Sequence, residues 1–225
     1  MAEVHGVAGE WARVKGSAFG MWPLGLGLFA LGFAIAGIAF ADAVTWSLVA
    51  LVVVAFIGWS LMRGLRRMER FYKGARGEER VAGILKGLPQ EYHVFNDFVA
   101  GRNHVDHVVV GPAGVFAVET KCWRGKVTVE DGHILLDGQL PDRSPLAQVL
   151  REAAQVKSAL AEAGWNGYVT PVLTFASDTF VAHRAEVQGA VVLNSNELKA
   201  SFATSRVVIP PAELTRLVQL MESRP

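Results

Sequence analysis

Two long apolar runs near the N-terminus limit what this chain can become. Phe19 to Ala41, FGMWPLGLGLFALGFAIAGIAFA, carries no charge, and neither does Val44 to Met62, VTWSLVALVVVAFIGWSLM. Crossing a bilayer as a helix takes about 20 such residues. Trp22, Trp46 and Trp59 stand near the ends of the runs, where indole rings favour the membrane interface. The link around Asp42 permits only a tight turn, so the pair reads as a transmembrane helical hairpin. Buried core helices are the alternative, and uncharged runs of this length weigh against it. Ala39-Phe40-Ala41 also looks like a signal-peptidase site, but the apolar run before it exceeds a usual h-region. Cleavage there would leave one span. Arg13 and Lys15 precede the first run, and Arg63, Arg66, Arg67, Arg70, Lys73 and Arg76 follow the second, while the turn carries only Asp42. Positive flanks stay inside, so a multi-pass protein of the cell (inner) membrane is expected, with both termini cytoplasmic. No ionisable residue lies within either run, which points to an anchor rather than an ion path. Gly32, Ala36, Gly37 and Ala41 have small-xxx-small spacing, suited to packing the hairpin on itself or to a homo-oligomer contact through the first span.

The remainder has the composition of an ordinary α/β domain, which explains how a chain 51% hydrophobic can still be 19% charged. The expected division is a cytoplasmic segment 1–18, two spans within 19–62, a basic juxtamembrane linker 63–73 and a soluble domain 74–225. A net charge of +1 neither favours nor excludes a nucleic-acid partner. The single cysteine, Cys122, excludes an intrachain disulfide and a cysteine-cluster metal site. Val81, Ile84, Leu85 and Leu88 recur at helical spacing before Pro89. EYHVFNDF reads as a strand, followed by a loop through Gly101-Arg102-Asn103. KVTVEDGHILLDG reads as a hairpin turning at Asp131-Gly132. Ser144 and Pro145 open a helix, as N-cap and first helical residue, that runs to about Ala163. YVTPVLTFA and GAVVLN read as strands, NELKASF as a short helix, and Pro210-Pro211 opens a last one.

The stretch VDHVVVGPAGVFAVETK, Val105 to Lys121, is a hairpin around Gly111-Pro112-Ala113-Gly114. Pairing Val110 with Val115 sets Asp106 opposite Glu119, and Lys121 falls on the same face two residues on. Opposed like charges destabilise a sheet and raise one another's pKa unless a cation lies between them. Mg²⁺ suits two carboxylates, with water and a substrate phosphate completing its shell. Lys121 beside it could stabilise charge developing on a phosphate. The alternative is a solvated strand end with an i, i+2 Glu–Lys pair.

GARGEERV, VDHVVVGPAGVFAVETKCWRG and SPLAQ, in that order, resemble the opening helix, the E-x-K-x-W-x-G core and the Asn-Pro-x-x-Gln segment of the NERD (nuclease-related) domain. That domain is a branch of the PD-(D/E)XK nuclease superfamily. The resemblance implies a restriction-endonuclease-like α/β fold, a mixed sheet flanked by helices. It implies Asp106 and Glu119 as inner metal ligands, Lys121 as the catalytic lysine, Glu78 as outer ligand or orienter, and Gln148 completing the site. Ser144 replaces the usual Asn, and both cap helices. Glu79 competes with Glu78, but the two point about 100° apart on a helix, and Glu78 shares the face of Val81 and Leu85. His104 shares the Asp106 face as an auxiliary ligand or an exposed loop-end histidine, whereas His107 should pack in the core. Trp123 covers the core edge or, with Arg124, contacts nucleic acid. Cys122, off the Glu119 face, lacks the partner of a thiol nucleophile.

The expected function is a membrane-anchored, cytoplasm-facing nuclease that hydrolyses DNA or RNA with Mg²⁺ or Mn²⁺. Its partners would be nucleic acid, DNA ahead of RNA, and the lipid bilayer. A non-catalytic nucleic-acid-binding or scaffold module on the same fold is the first rival, and a membrane-assembly component the second. The topology has a direct check: reporters fused at residue 1 and at residue 225 should both report the cytoplasm. A C-terminus on the far side would separate the domain from the nucleic acid of the cell.

Overall fold

The computed structural model describes residues 1–223 except Ala41, Arg102, Thr204, Ser205 and Val207. The Ala41 end of the small-residue face and of the cleavage-like stretch, and Arg102 of the loop, therefore lie outside the described residues. The chain forms two compact units, residues 10–75, and residues 1–9 with 76–225.

The first unit is a helix pair. Helix α1 (Glu10–Phe40) and the part of α2 (Ala43–Lys86) up to residue 75 are long and apolar enough to span a membrane. Asp42 caps α2, its carboxylate accepting from Thr45 N–H at 2.8 Å. Gly37 lies under the Trp46 ring, where an added Cβ would come within 2.2 Å of it, and Gly27 faces Ile57. Small residues of α1 thus serve close packing of the hairpin, while Gly32 and Ala36 remain exposed. Residues 63–73 are helical too. Arg, Leu, Met, Glu and Lys are strong helix formers, and no proline interrupts them.

The second unit is built on a seven-stranded mixed sheet, ordered β1-β2-β3-β4-β7-β9-β8 and flanked by helices. Its strands are β1 (Glu3–His5), β2 (His93–Ala100), β3 (Asn103–Gly111), β4 (Gly114–Lys121), β7 (Val169–Phe175), β8 (Arg184–Val187) and β9 (Ala190–Asn194). A separate hairpin, β5 (Val127–Glu130) and β6 (His133–Leu136), turns at Asp131-Gly132, both at positive φ. Helices α3 (Pro145–Glu162) and α5 (Pro211–Glu222) cover one sheet face, burying Phe95, Val108, Val110, Val115 and Ala117 with Val156, Leu160 and Leu217. On the other face Val94, Val109, Phe116 and Val118 meet Val81 and Leu85 of α2, and Leu198 and Phe202 of α4 (Leu198–Ala203). The alternation along β3 and β4, even residues of one strand level with odd residues of the next, settles which face each site residue occupies.

The β3–β4 turn is tighter than expected. Gly111 and Gly114 pair with each other, leaving only Pro112-Ala113 as the loop, with the register Val110↔Val115 and Val108↔Ala117 unchanged. Ser144 caps α3 by accepting from Ala147 N–H at 3.2 Å, with Pro145 at its first position. Two strands exceed the expected set. β1 adds the N-terminus in parallel to β2, and β8 forms an edge hairpin with β9 through Gln188-Gly189, both at positive φ.

Gly111 gives this hairpin a stability test. A Cβ there would stand 2.2 Å from the Tyr92 ring, whose hydroxyl donates to Phe202 O at 3.0 Å and so resists displacement. Gly111→Ala should cost about 1–3 kcal/mol, measured as a lowered melting temperature of the detergent-solubilised chain.

Candidate active centre

The β3–β4 ladder ends at His107↔Val118, one step short of Asp106 and Glu119. Beyond this point β3 continues to pair with β2 through Val105, His104 and Asn103, while β4 pairs with β7 as far as Lys121. The alternation of β4 turns Thr120 N–H toward β3. That donor is taken by the Asp106 carboxylate at 2.7 Å rather than by backbone. Asp106 thus closes the opening between two parting strands, with Glu119 and Lys121 at its rim.

Helix α3 brings its first turns to the same place. Gln148 Nε2 donates to Glu119 Oε1 at 2.8 Å and to Glu152 Oε1 at 2.8 Å, and Gln148 Oε1 accepts from Lys121 Nζ at 2.9 Å. Lys121 Nζ also makes an ion pair with Glu119 Oε1. From α2, Glu78 adds a fourth carboxyl group and accepts from the backbone N–H of Gly9. Gly77 permits this approach: a Cβ there would lie 3.1 Å from the Cys122 Cβ and 3.4 Å from that of Ala176. Arg80 ties the same stretch of α2 down by donating to Ala176 O at 3.1 Å.

Glu78, Asp106, Glu119 and Glu152 therefore converge on one ammonium. Glu119 and Glu152 are buried, and Glu78, Asp106, Lys121 and Gln148 partly so. Burial, then repulsion from Glu119 and Asp97, lifts the Glu78 pKa to about 7. Burial and Glu119 lift that of Glu152 to about 8. Burial, Glu119 and Glu78 push Asp106 well above the usual carboxylate range. For Lys121 burial opposes the charge, but Glu119, Asp106 and Glu152 outweigh it and the ammonium is held more firmly than usual.

A hard divalent cation fits this centre by the chemistry of its donors. All are carboxylate or amide oxygens, carboxyl groups outnumber the one lysine, and Glu152 Oε2 is buried without a hydrogen-bond partner. Asp106 and Glu119 could hold Mg²⁺, with Glu78 behind them. Among the described residues, the only trio of candidate ligand atoms mutually within 4.8 Å lies elsewhere, at Glu3, His5 and His93. The centre thus offers two carboxylates and open positions, as Mg²⁺ prefers, rather than a closed cage.

His104 is turned to Asp97, its Nδ1 2.8 Å from Asp97 Oδ1. His107 is fully buried, its Nδ1 2.8 Å from Asn96 Oδ1, and burial drops its pKa to about 3, so it stays neutral. Trp123 packs on Phe175, their centroids 5.6 Å apart, at the edge of the core. Glu152 and Asp97 are the residues that sequence reasoning missed. Glu152 did leave a signal. It lies four residues after Gln148 and between Val149 and Val156, so it sits on the buried face of α3.

Residues 73–176 match the family model of the nuclease-related domain. The chain carries a nuclease-related domain, and the whole centre from Glu78 to Glu152 falls within it. No curated protein and no solved structure matches the chain.

The crowding in the nuclease-related domain predicts a pH dependence. In the folded state Glu78 and Glu152 keep protons up to about pH 7 and 8, whereas unfolded they release them near 4.5. The folded state binds more protons in that window, so stability should fall as pH rises through it. In chelator-treated protein, melting temperature should decline from about pH 5 to about pH 8, and Glu152→Gln should make the decline shallower. A flat profile would mean that the carboxyl groups are not crowded.

Proposed function

We propose that this chain is a membrane-anchored, cytoplasm-facing nuclease that hydrolyses phosphodiester bonds of DNA or RNA with a divalent metal. The observation that carries the reading is the meeting of Asp106 from β3, Glu119 and Lys121 from β4 and Gln148 from α3 in one polar centre of a nuclease-related domain. The two long apolar helices support the anchor, and the positive residues flanking them support the cytoplasmic side.

When bound, Mg²⁺ or Mn²⁺ supplies Lewis-acid polarisation of the phosphate and of an attacking water. The chain's own residues do the rest. Asp106 and Glu119 are the anionic ligands, and Thr120 N–H fixes the direction of the first. Gln148 bridges Glu119, Glu152 and Lys121, so it orients the second and holds the ammonium in place. Lys121, firmly protonated, faces the negative charge that grows on the phosphate as water adds to phosphorus and the ester P–O bond breaks. Glu78, titrating at about 7, can take up or release a proton at neutral pH, as that exchange of oxygens requires.

Lys121→Ala should cost a factor on the order of hundreds or more in single-turnover cleavage, the scale of one lost transition-state contact. It should leave calorimetric Mn²⁺ binding intact, since removing a cation only relieves repulsion of the metal. Asp106→Ala should lose both. The assay uses the full chain with labelled single- and double-stranded DNA and RNA. If Lys121→Ala cleaves like the parent chain, the centre is not hydrolytic and a non-catalytic nucleic-acid-binding module takes over.

A further inference from the structure

The N-terminal strand brings a second set of ligand-bearing side chains together, away from the acidic centre. In the parallel β1–β2 pair Glu3 aligns with His93 and His5 with Phe95. The period of two puts all four side chains on one sheet face. Phe95 belongs to the core under α3 and α5, and the end of α5 reaches this spot with Glu222, whose Oε1 is 3.7 Å from His5 Nδ1. His93 Nδ1 is 3.5 Å from Glu3 Oε2. Glu3, His5 and His93 each offer a ligand atom, and the three lie within 4.8 Å of one another.

The imidazoles are held but not satisfied. His5 stacks on Phe95 with centroids 4.4 Å apart and a 10° interplanar angle, and lies 5.9 Å from the His93 ring. His5 Nε2 and His93 Nδ1 are both sealed from solvent without a hydrogen bond. Buried polar atoms left this way cost stability, which a ligand for them would recover. Neither nitrogen has a hydrogen-bond partner among the described residues, the Glu3 carboxylate standing 3.5 Å from His93 Nδ1 as an ion pair.

We propose that Glu3, His5 and His93 form a binding site for a borderline-soft divalent cation of the Zn²⁺ type, with Glu222 on the far nitrogen of His5, where it orients the ring. Two imidazoles and a carboxylate suit Zn²⁺ and its transition-metal neighbours, whereas Mg²⁺ selects oxygen. Bonds of about 2.0–2.1 Å in a tetrahedral shell separate neighbouring ligand atoms by about 3.4 Å. The 3.5 Å spacing of His93 Nδ1 from Glu3 Oε2 already approaches that value, and His5 Nε2 supplies the third ligand atom. The ion clasps β1 to β2. β1 leads into the turn that carries Gly9 to Glu78, so the clasp fixes a segment that touches the acidic centre without contributing metal ligands to it.

The test uses the full chain in detergent, purified on a tag free of histidine, stripped with chelator and titrated with Co²⁺. One equivalent should raise the strong visible d–d bands of a four-coordinate nitrogen–oxygen site, and Zn²⁺ should displace it. His5→Gln and His93→Gln should each abolish the bands, and Glu119→Gln, in the acidic centre, should keep them. Zn²⁺, unlike Mg²⁺, should also raise the melting temperature of the parent chain, a reading that needs no variant to fold. The proposal is overturned by absent bands, by bands that survive both histidine variants, by bands lost in Glu119→Gln, or by a melting temperature indifferent to Zn²⁺.

Discussion

Much of the second unit follows from the pairing of β3 with β4. The two-residue loop Pro112-Ala113 leaves no slack, so the register Val110↔Val115 is imposed from the turn outward. A slip of one residue would move Val108, Val110, Val115 and Ala117 out of the α3–α5 core and send Asp106 and Glu119 to the opposite face. The apolar bodies of these strands therefore hold the carboxylates where they are. The ladder's early end supplies what a regular sheet could not, a gap wide enough for charged groups, closed by Asp106 on Thr120 N–H.

Charge held in that gap is unfavourable, and the fold tolerates it by sharing. Lys121 pairs with Glu119, Gln148 bridges three neighbours, and Glu78 and Glu152 relieve repulsion by keeping protons to about pH 7 and 8. A group that titrates near neutrality inside an acidic centre is suited to proton transfer, and an excess of buried carboxylates is suited to a cation. The same crowding that lowers stability would serve the proposed activity, which ties that activity to a measurable pH profile.

The N-terminus enters this arrangement from outside the hairpin. β1 lies beyond β2 at the sheet edge, and the following turn presents Gly9 N–H to Glu78. Gly6 is locked in the same turn: a Cβ there would stand 2.7 Å from Asn96 O. Asn96 donates to Gly6 O and also meets the buried His107. Residues 1–9 are thereby part of the folded unit rather than a free leader to α1.

The sequence alone determined what depends on local pattern. Uncharged runs of spanning length marked both apolar helices, period-two alternation placed Asp106, Glu119 and Lys121 on one face, and Ser144-Pro145 marked the start of α3. Motif resemblance added Glu78 and Gln148. Local pattern did not show β8, because Gln188-Gly189 lacks the Asn or Asp usual in such turns. It did not show β1, because three residues carry no periodicity and their parallel partner is some ninety positions away. Only the tertiary structure decided that Glu152 joins the centre, that His104 turns to Asp97, and that Glu3 and His5 meet His93. Each depends on the distance between side chains from elements far apart in the chain, and that distance is set by packing rather than by any local preference.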